Sequence, residues 1–404
     1  LAKRNPPLAE TNRILTMEIG EVYPPSGHVQ RLYCDGCNDH LDLIYKKFSE
    51  HVSGVRVEIM DLPYLHCPRC DRSVLPENSR FAIIRLWEQA KEQASPGVRS
   101  QRKKPMQNFG FTSIPFKYDS DDYYYIPGLE RPHDVGFLTP VFFNKEVLLK
   151  YDASPNYEVK FASTTYGTIH GEGFYISFGI NRNGKVFMWL GDIARLSEAE
   201  QYYLISENVP SDHSIGSEFY DGQIECVFTE LSTEDRVFAL RSGFVEAFKK
   251  RWGVSVAHLD REVLDLVSGF NAPIVDTPNE RKRVADTLNK VYIESLDNKA
   301  LAKLAIELNV APDGSGTLKR LQAILGIVVF DEEELRRLLK PFFTLYDFRV
   351  ASLHLTSTES GEKTLLSVVE RLDLPKSADL PSIYGRLMEM IAKSFAEMIA
   401  KIDQ

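Results

Sequence analysis

The chain lacks any apolar run long enough to cross a bilayer. The longest uninterrupted one, Ile324-Leu325-Gly326-Ile327-Val328-Val329-Phe330, is far short of the roughly 20 residues a spanning helix needs. The opening residues, Leu1-Ala2-Lys3-Arg4-Asn5-Pro6-Pro7, hold no apolar stretch of the signal-peptide type, so a cytoplasmic protein without a membrane segment is the expectation. Positive charge is scarce in one place only. Positions 1–105 carry 16 basic and 13 acidic residues, 106–235 carry 8 and 20, and 236–404 carry 24 and 24, so the net charge of −9 comes from the middle third. A uniformly acidic surface would repel phosphate. Here the two ends remain open to RNA or DNA. The middle third contains neither a phosphate loop nor a dinucleotide fingerprint.

What is present is the composition of an ordinary globular protein, 43% hydrophobic and 26% charged over 404 residues, enough for two or three domains. The expected class is α+β multidomain, with boundaries at 1–105, 106–235 and 236–404. Cysteine is rare, five in all, and four of the five fall in one pattern. Cys34-Asp35-Gly36-Cys37 and Cys67-Pro68-Arg69-Cys70 are two Cys-x-x-Cys turns separated by 29 residues. Such turns let thiolates converge on one tetrahedral ion, and a Gly or Pro inside each favours the tight backbone required. With four thiolates the site is closed, so a structural Zn2+ in a ribbon-like domain is expected. Two disulfides or a redox pair are the competing readings, and His66 is a further candidate ligand. Leu41–Tyr45 and Val55–Ile59 read as strands filling the gap. A helix-like segment follows with Phe81, Ile84, Leu86 and Trp87, and from Ser95-Pro96-Gly97 the basic run with Arg99, Arg102, Lys103 and Lys104 reads as a linker.

The segment 106–235 alternates apolar and polar residues in Tyr157–Phe161, Gly173–Phe178 and Lys185–Leu190, which predicts strands. Asn181-Arg182-Asn183-Gly184 has the chemistry of a hairpin turn. This is a β-rich, acidic domain suited to sensing or regulation. Ser197 and Glu200 form a helix-starting pair. Ser206–His213 reads as a structural polar loop, and Cys226 as a packed residue in a strand-like stretch.

From 236 onward the periodicity becomes helical. Thr277-Pro278-Asn279-Glu280 combines an N-cap, a first-turn proline and a capping glutamate. Val284, Leu288, Val291, Leu301, Leu304 and Leu308 are the expected buried positions, with a break near Asp297-Asn298. In the last stretch Ile383, Leu387, Met390, Ile391, Met398 and Ile402 recur at helical spacing, giving a bundle. Asp331–Glu334 starts another helix. Pro341 is expected to end it at Lys340 and begin the next, whose apolar stripe passes Phe342, Leu345 and Tyr346 and then meets Arg349. A guanidinium on that stripe should face a carboxylate, a phosphate or a subunit interface.

Five positions on stands His354. Arginine can brace a phosphate from two directions and histidine can exchange protons near neutral pH, which together suit phosphodiester cleavage. The bare spacing is weak: 25 Arg and 9 His give roughly one or two chance matches, and Arg251 with His258 is a second one, read as a helix C-terminus. With its helical setting and the approach Leu345-Tyr346-Asp347-Phe348-Arg349, the C-terminal segment resembles the HEPN superfamily, whose ribonucleases carry Arg-x4-6-His near a helix end. The layout also looks like that of ApeA-type anti-phage members. The resemblance implies metal-independent RNA cleavage by Arg349 and His354, in a bacterial defence or toxin-like system answering a phage-derived or protein trigger. Residues five apart on a helix point roughly 140° from each other. A homodimer pairing two motifs through the helical domain is therefore expected, with Asp347 assisting only through an Arg. The alternative is a non-catalytic zinc-ribbon regulator that binds nucleic acid or protein and dimerises through its helices.

Overall fold

The computed structural model describes residues 16–27, 29–101, 110–122, 126, 136–227, 232–353 and 358–404. It divides into two compact units, one comprising Leu1–Val147, Pro155–Glu158 and Thr165–Phe228, the other Leu148–Ser154, Val159–Thr164 and Thr229–Gln404. The fold is mixed, with a cysteine cluster near its start, a β-rich middle and a helical C-terminal part.

In the first unit, β1 (Asp42–Val52) and β2 (Val55–His66) form a long antiparallel hairpin. Its two-residue loop, Ser53-Gly54, has positive φ at both positions, as a turn matched to strand twist requires. β2 also pairs antiparallel with β3 (Ser73–Val74), and α1 (Glu77–Glu92) follows. The run expected to be linker instead begins with β4 (Gly97–Ser100), which lies parallel to β2. Val98 explains it, a half-buried apolar residue packed against the core beneath this sheet. Residues 102–109 of that run lie outside the described residues. Phe48, Val52, Val57, Ile59, Ile83 and Ile84 close this core between hairpin and helix.

A second sheet follows from β5 (Pro140–Phe143), β6 (Tyr166–Gly171), β7 (Phe174–Ile180), β8 (Val186–Trp189) and β9 (Asn208–Val209), in the order β9-β5-β8-β7-β6. All neighbours are antiparallel. Asn181–Gly184 makes the β7–β8 turn, with Gly184 left-handed and Asn181 Oδ1 accepting from the Asn183 and Lys185 amides. Ser197 caps α2 (Glu198–Glu207) by accepting from the Glu200 amide. Cys226 does not lie in a strand: after α3 (Glu218–Gln223) the chain turns, and Cys226 is exposed with a left-handed backbone. Leu41, Leu43 and Leu65 share a core with Phe187, Trp189, Phe219 and Tyr220.

The second unit is a bundle of α4 (Thr233–Trp252), α5 (Asp260–Ser268), α6 (Pro278–Asn289), α7 (Asn298–Glu307), α8 (Thr317–Leu325), α9 (Glu332–Leu353), α10 (Thr358–Arg371) and α11 (Leu380–Ile402). Thr277 caps α6 from the Glu280 amide, and Asp297 caps α7, where the break was expected. The expected core positions are buried, except that Leu308 and Met390 are half-buried at its margin. Phe395 of α11 is the centre of packing, with the rings of Phe244, Phe342 and Tyr292 at 5.4, 5.1 and 6.1 Å. Among the described residues no helix is long and apolar enough to cross a membrane.

Pro341 does not divide α9, which runs unbroken for 22 residues. An interior proline costs about 3 kcal/mol. Leu338, Leu339, Phe342, Leu345 and Phe348 are all buried on one core, and each contributes roughly 1.5–3 kcal/mol, so continuity wins. The Thr344 hydroxyl also donates to Lys340 O at 2.8 Å, supplying a bond within the disturbed turn. In the unbroken helix the buried stripe passes through Phe348, and Tyr346 faces solvent at 47% exposure.

Asp276 links two helix starts. It takes Arg281 Nε and Nη2 at 2.5 and 2.7 Å and the Leu380 amide, in the first turn of α11, at 3.0 Å. The Arg281 hydrogen bonds hold its carboxyl below the usual range against the opposing effect of burial. Replacing it, Asp276→Ala, is expected to cost the second unit about 1–2 kcal/mol at neutral pH. A depressed carboxylate stabilises above its unfolded pKa of about 3.9 and loses that contribution as pH falls through the folded value. Denaturant midpoints of variant and wild type should therefore converge in acid; a constant gap across pH would refute the linkage.

Candidate functional site

Each Cys-x-x-Cys turn is built by the same backbone bonds. The Cys34 amide donates to Asp39 O and the Asn38 amide to Cys34 O; the Cys67 amide donates to Arg72 O and the Asp71 amide to Cys67 O. Asn38 and Asp71, the fourth residues after the leading cysteines, are both left-handed. Two equivalent knuckles thus stand at the end of the β1–β2 ladder, one beside the Asp42–His66 rung and the other between β2 and β3. Gly36 lets the Arg72 guanidinium lie close over the first knuckle, where a Cβ would stand 2.5 Å from it.

The four Sγ atoms lie within 4.8 Å of one another, with Cys34 to Cys70 at 3.4 Å and Cys37 to Cys67 at 3.5 Å. A tetrahedral ion about 2.3 Å from each thiolate spaces them about 3.8 Å apart, which matches. A disulfide needs sulfurs about 2.05 Å apart, and all five cysteines are free, so the disulfide reading does not apply. The Gly36 amide, aimed at Cys34 Sγ, is the largest influence on that thiol and, against desolvation, holds it down at about 7. These cysteines can hold a metal ion. His66 is not a ligand: its Nδ1 faces the Ser73 hydroxyl at 3.1 Å and its Nε2 faces Asp71 at 3.7 Å.

The polar loop Ser206–His213 anchors a buried network that sequence reasoning did not find. Asp212 takes Asn181 Nδ2 at 3.0 Å and Asn183 Nδ2 at 3.1 Å, fastening the loop to the β7–β8 turn. His213 Nδ1 meets Asp122 at 2.7 Å, and the Ser211 hydroxyl donates to the other Asp122 oxygen at 2.5 Å. Asp119, Asp121 and Asp122 are all buried, and burial pushes the Asp122 carboxyl up. The available signal was the run Asp119-Ser120-Asp121-Asp122. This is not a nucleophilic relay: there serine and carboxylate bond opposite ring nitrogens, whereas Ser211 and Asp122 both address Nδ1.

In the helical unit, Arg349 stands near the end of α9 at 27% side-chain exposure, with Nη2 3.3 Å from Glu294 Oε1. It faces a carboxylate, one of the three partners expected for it. Its Nε is buried with no hydrogen-bond partner among the described residues. Glu294 ends a π-turn, Lys290–Glu294, that prolongs α6, and it also accepts from Asn289 Nδ2 at 2.8 Å. Buried Arg241 secures that turn by donating from Nε to Val291 O and from Nη2 to the Ser295 hydroxyl, each at 2.9 Å. Turns of this kind recur at functional sites. Asp347 pairs with Arg371. Arg251 lies in the last turn of α4, ended by left-handed Gly253, and His258 Nε2 is 3.0 Å from Glu294 O. His354 lies outside the described residues.

No family model, curated protein or solved structure matches this chain.

Thiol counting tests the metal centre. In metal-loaded native protein a thiol reagent should titrate the exposed Cys226 alone, and chelation should raise the count to all five cysteines. Five reactive thiols before chelation would exclude a bound ion. Cys67→Ser should abolish metal retention in elemental analysis.

Proposed function

We propose that the chain is a metal-independent endoribonuclease acting as an effector in a bacterial defence or toxin-like system. The observation that carries this reading is Arg349, a partly exposed arginine near the end of α9 whose Nε has no hydrogen-bond partner among the described residues, with His354 five positions later in the sequence. A substrate phosphate would replace Glu294 at its Nη2. The RNA 2′-hydroxyl attacks the adjacent phosphorus, forming the new P–O bond as the bond to the 5′-oxygen breaks. His354 moves protons between these oxygens, and Arg349 neutralises the charge that builds on the phosphoryl oxygens. The products are a 2′,3′-cyclic phosphate and a 5′-hydroxyl. Two motifs meet across a homodimer of helical units, as in the HEPN ribonucleases that the C-terminal segment resembles.

The four cysteines carry a structural Zn2+ in this reading, because four thiolates complete a tetrahedral sphere and leave no position for water or substrate. The acidic, β-rich part restrains the nuclease or senses a phage-derived or protein trigger. A second reading is favoured by the convergence of the four thiols alone: a non-catalytic zinc-ribbon regulator that binds nucleic acid or protein, with the helices serving only to dimerise.

Arg349→Ala and His354→Ala should each lower RNA cleavage by at least 100-fold under activating conditions, about 2.7 kcal/mol of transition-state stabilisation. Product ends identify the chemistry, and sedimentation reports the dimer. Equal cleavage by wild type and both variants would refute the mechanism; loss of function only in Cys67→Ser would favour the regulator.

A further inference from the structure

The tip half of the β1–β2 hairpin has two unlike faces. On one, Phe48, Val52, Val55, Val57 and Ile59 are buried in the core with Ile83 and Ile84 of α1. On the other, strand register places basic side chains in successive rungs. His51 pairs with Arg56 and Arg56 with Gly97; Ser49 pairs with Glu58 and Glu58 with Arg99. Lys47 joins them from the register shift between Lys46 and Phe48, with Nζ 2.8 Å from Glu58. Arg56 and Arg99 are exposed, and among the described residues neither forms an ion pair with a carboxylate. Gly97 adds no side chain beside Arg56, where a Cβ would lie 3.3 Å from the arginine Cβ.

Glu58 reports the field of this face. Its carboxyl is held below the usual range by the Lys47 hydrogen bond, and the charges of Lys47, Arg99 and Arg56 act in the same direction. One carboxylate among three permanent cations leaves an excess of two positive charges. The whole chain carries −9, so this excess is local, and it favours a negatively charged partner at this face.

We propose that this face binds the phosphodiester backbone of single-stranded RNA. Strands about 4.8 Å apart and rungs about 3.3 Å apart set the cations at intervals a flexible strand can follow with successive phosphates. The face is separate from the cysteine cluster: eight residues along β1 lie between Asp42, beside the knuckles, and His51, about 30 Å of extended chain. The choice of RNA over DNA rests on the endoribonuclease reading; the charge complementarity does not.

Fluorescence anisotropy with a labelled RNA 20-mer tests it, using the full chain carrying Arg349→Ala. Adding R56E and R99E should weaken binding at least tenfold at about 100 mM salt. Neutralising about three phosphates predicts a slope of log affinity against log salt near −2, and the double variant should flatten it. R56Q and R99Q together, milder for folding, should give an intermediate loss. Lys91→Glu, on the helix covering the opposite face, should change little. Unchanged binding in the R56E/R99E protein, an equal loss with Lys91→Glu, or stronger binding to DNA of the same sequence or to anionic vesicles would overturn the proposal. Cleavage by the Arg349→Ala protein would count against the nuclease reading alone, since the anisotropy contrast between the two faces does not use the Arg349 site.

Discussion

Four cysteine sulfurs converge within 4.8 Å of one another in partly buried surroundings, where ionised thiols would repel one another steeply without a cation among them. Much of the first unit depends on that constraint. The knuckles order the approach to β1 and the exit from β2. Cys34 and Cys67 are themselves buried in the core that joins Leu41, Leu43 and Leu65 to Trp189 and Phe219. The cysteine cluster and the hydrophobic core are thus one cooperative object.

The helical unit solves a different problem, the placement of charge at the edge of an apolar core. Arg241 is buried and donates to Val291 O and the Ser295 hydroxyl, which holds the π-turn. That turn presents Glu294 to Arg349. A helix of ordinary pitch would carry residue 294 to another azimuth, so the irregular turn and the buried arginine are linked causes of the Arg349 environment. In the proposed reaction, substrate phosphate competes with Glu294, and affinity for RNA then reflects a difference between two ion pairs.

Local chemistry was legible wherever it is set by near neighbours. The Cys-x-x-Cys turns, the Thr277 cap, the Asn181–Gly184 turn and the core positions of α6, α7 and α11 follow from side-chain type and spacing, which act over a few residues. Pro341 was misread because its penalty is local, whereas the burial that overrides it is collective. Cys226 was misread because the six residues Gln223–Phe228, however strand-like in pattern, do not make a strand without a neighbour to pair with.

The sequence by itself determined the four thiols that can hold a metal ion and the division between β-rich and helical parts. Tertiary structure alone decided that His213 meets Asp122 across 91 positions, that Glu294 meets Arg349, and that Lys47, Arg56 and Arg99 share one face. The physical reason is range. Propensity and capping energies arise between residues a turn apart, while ion pairs and sheet faces arise between segments whose meeting depends on the register and packing of the whole fold.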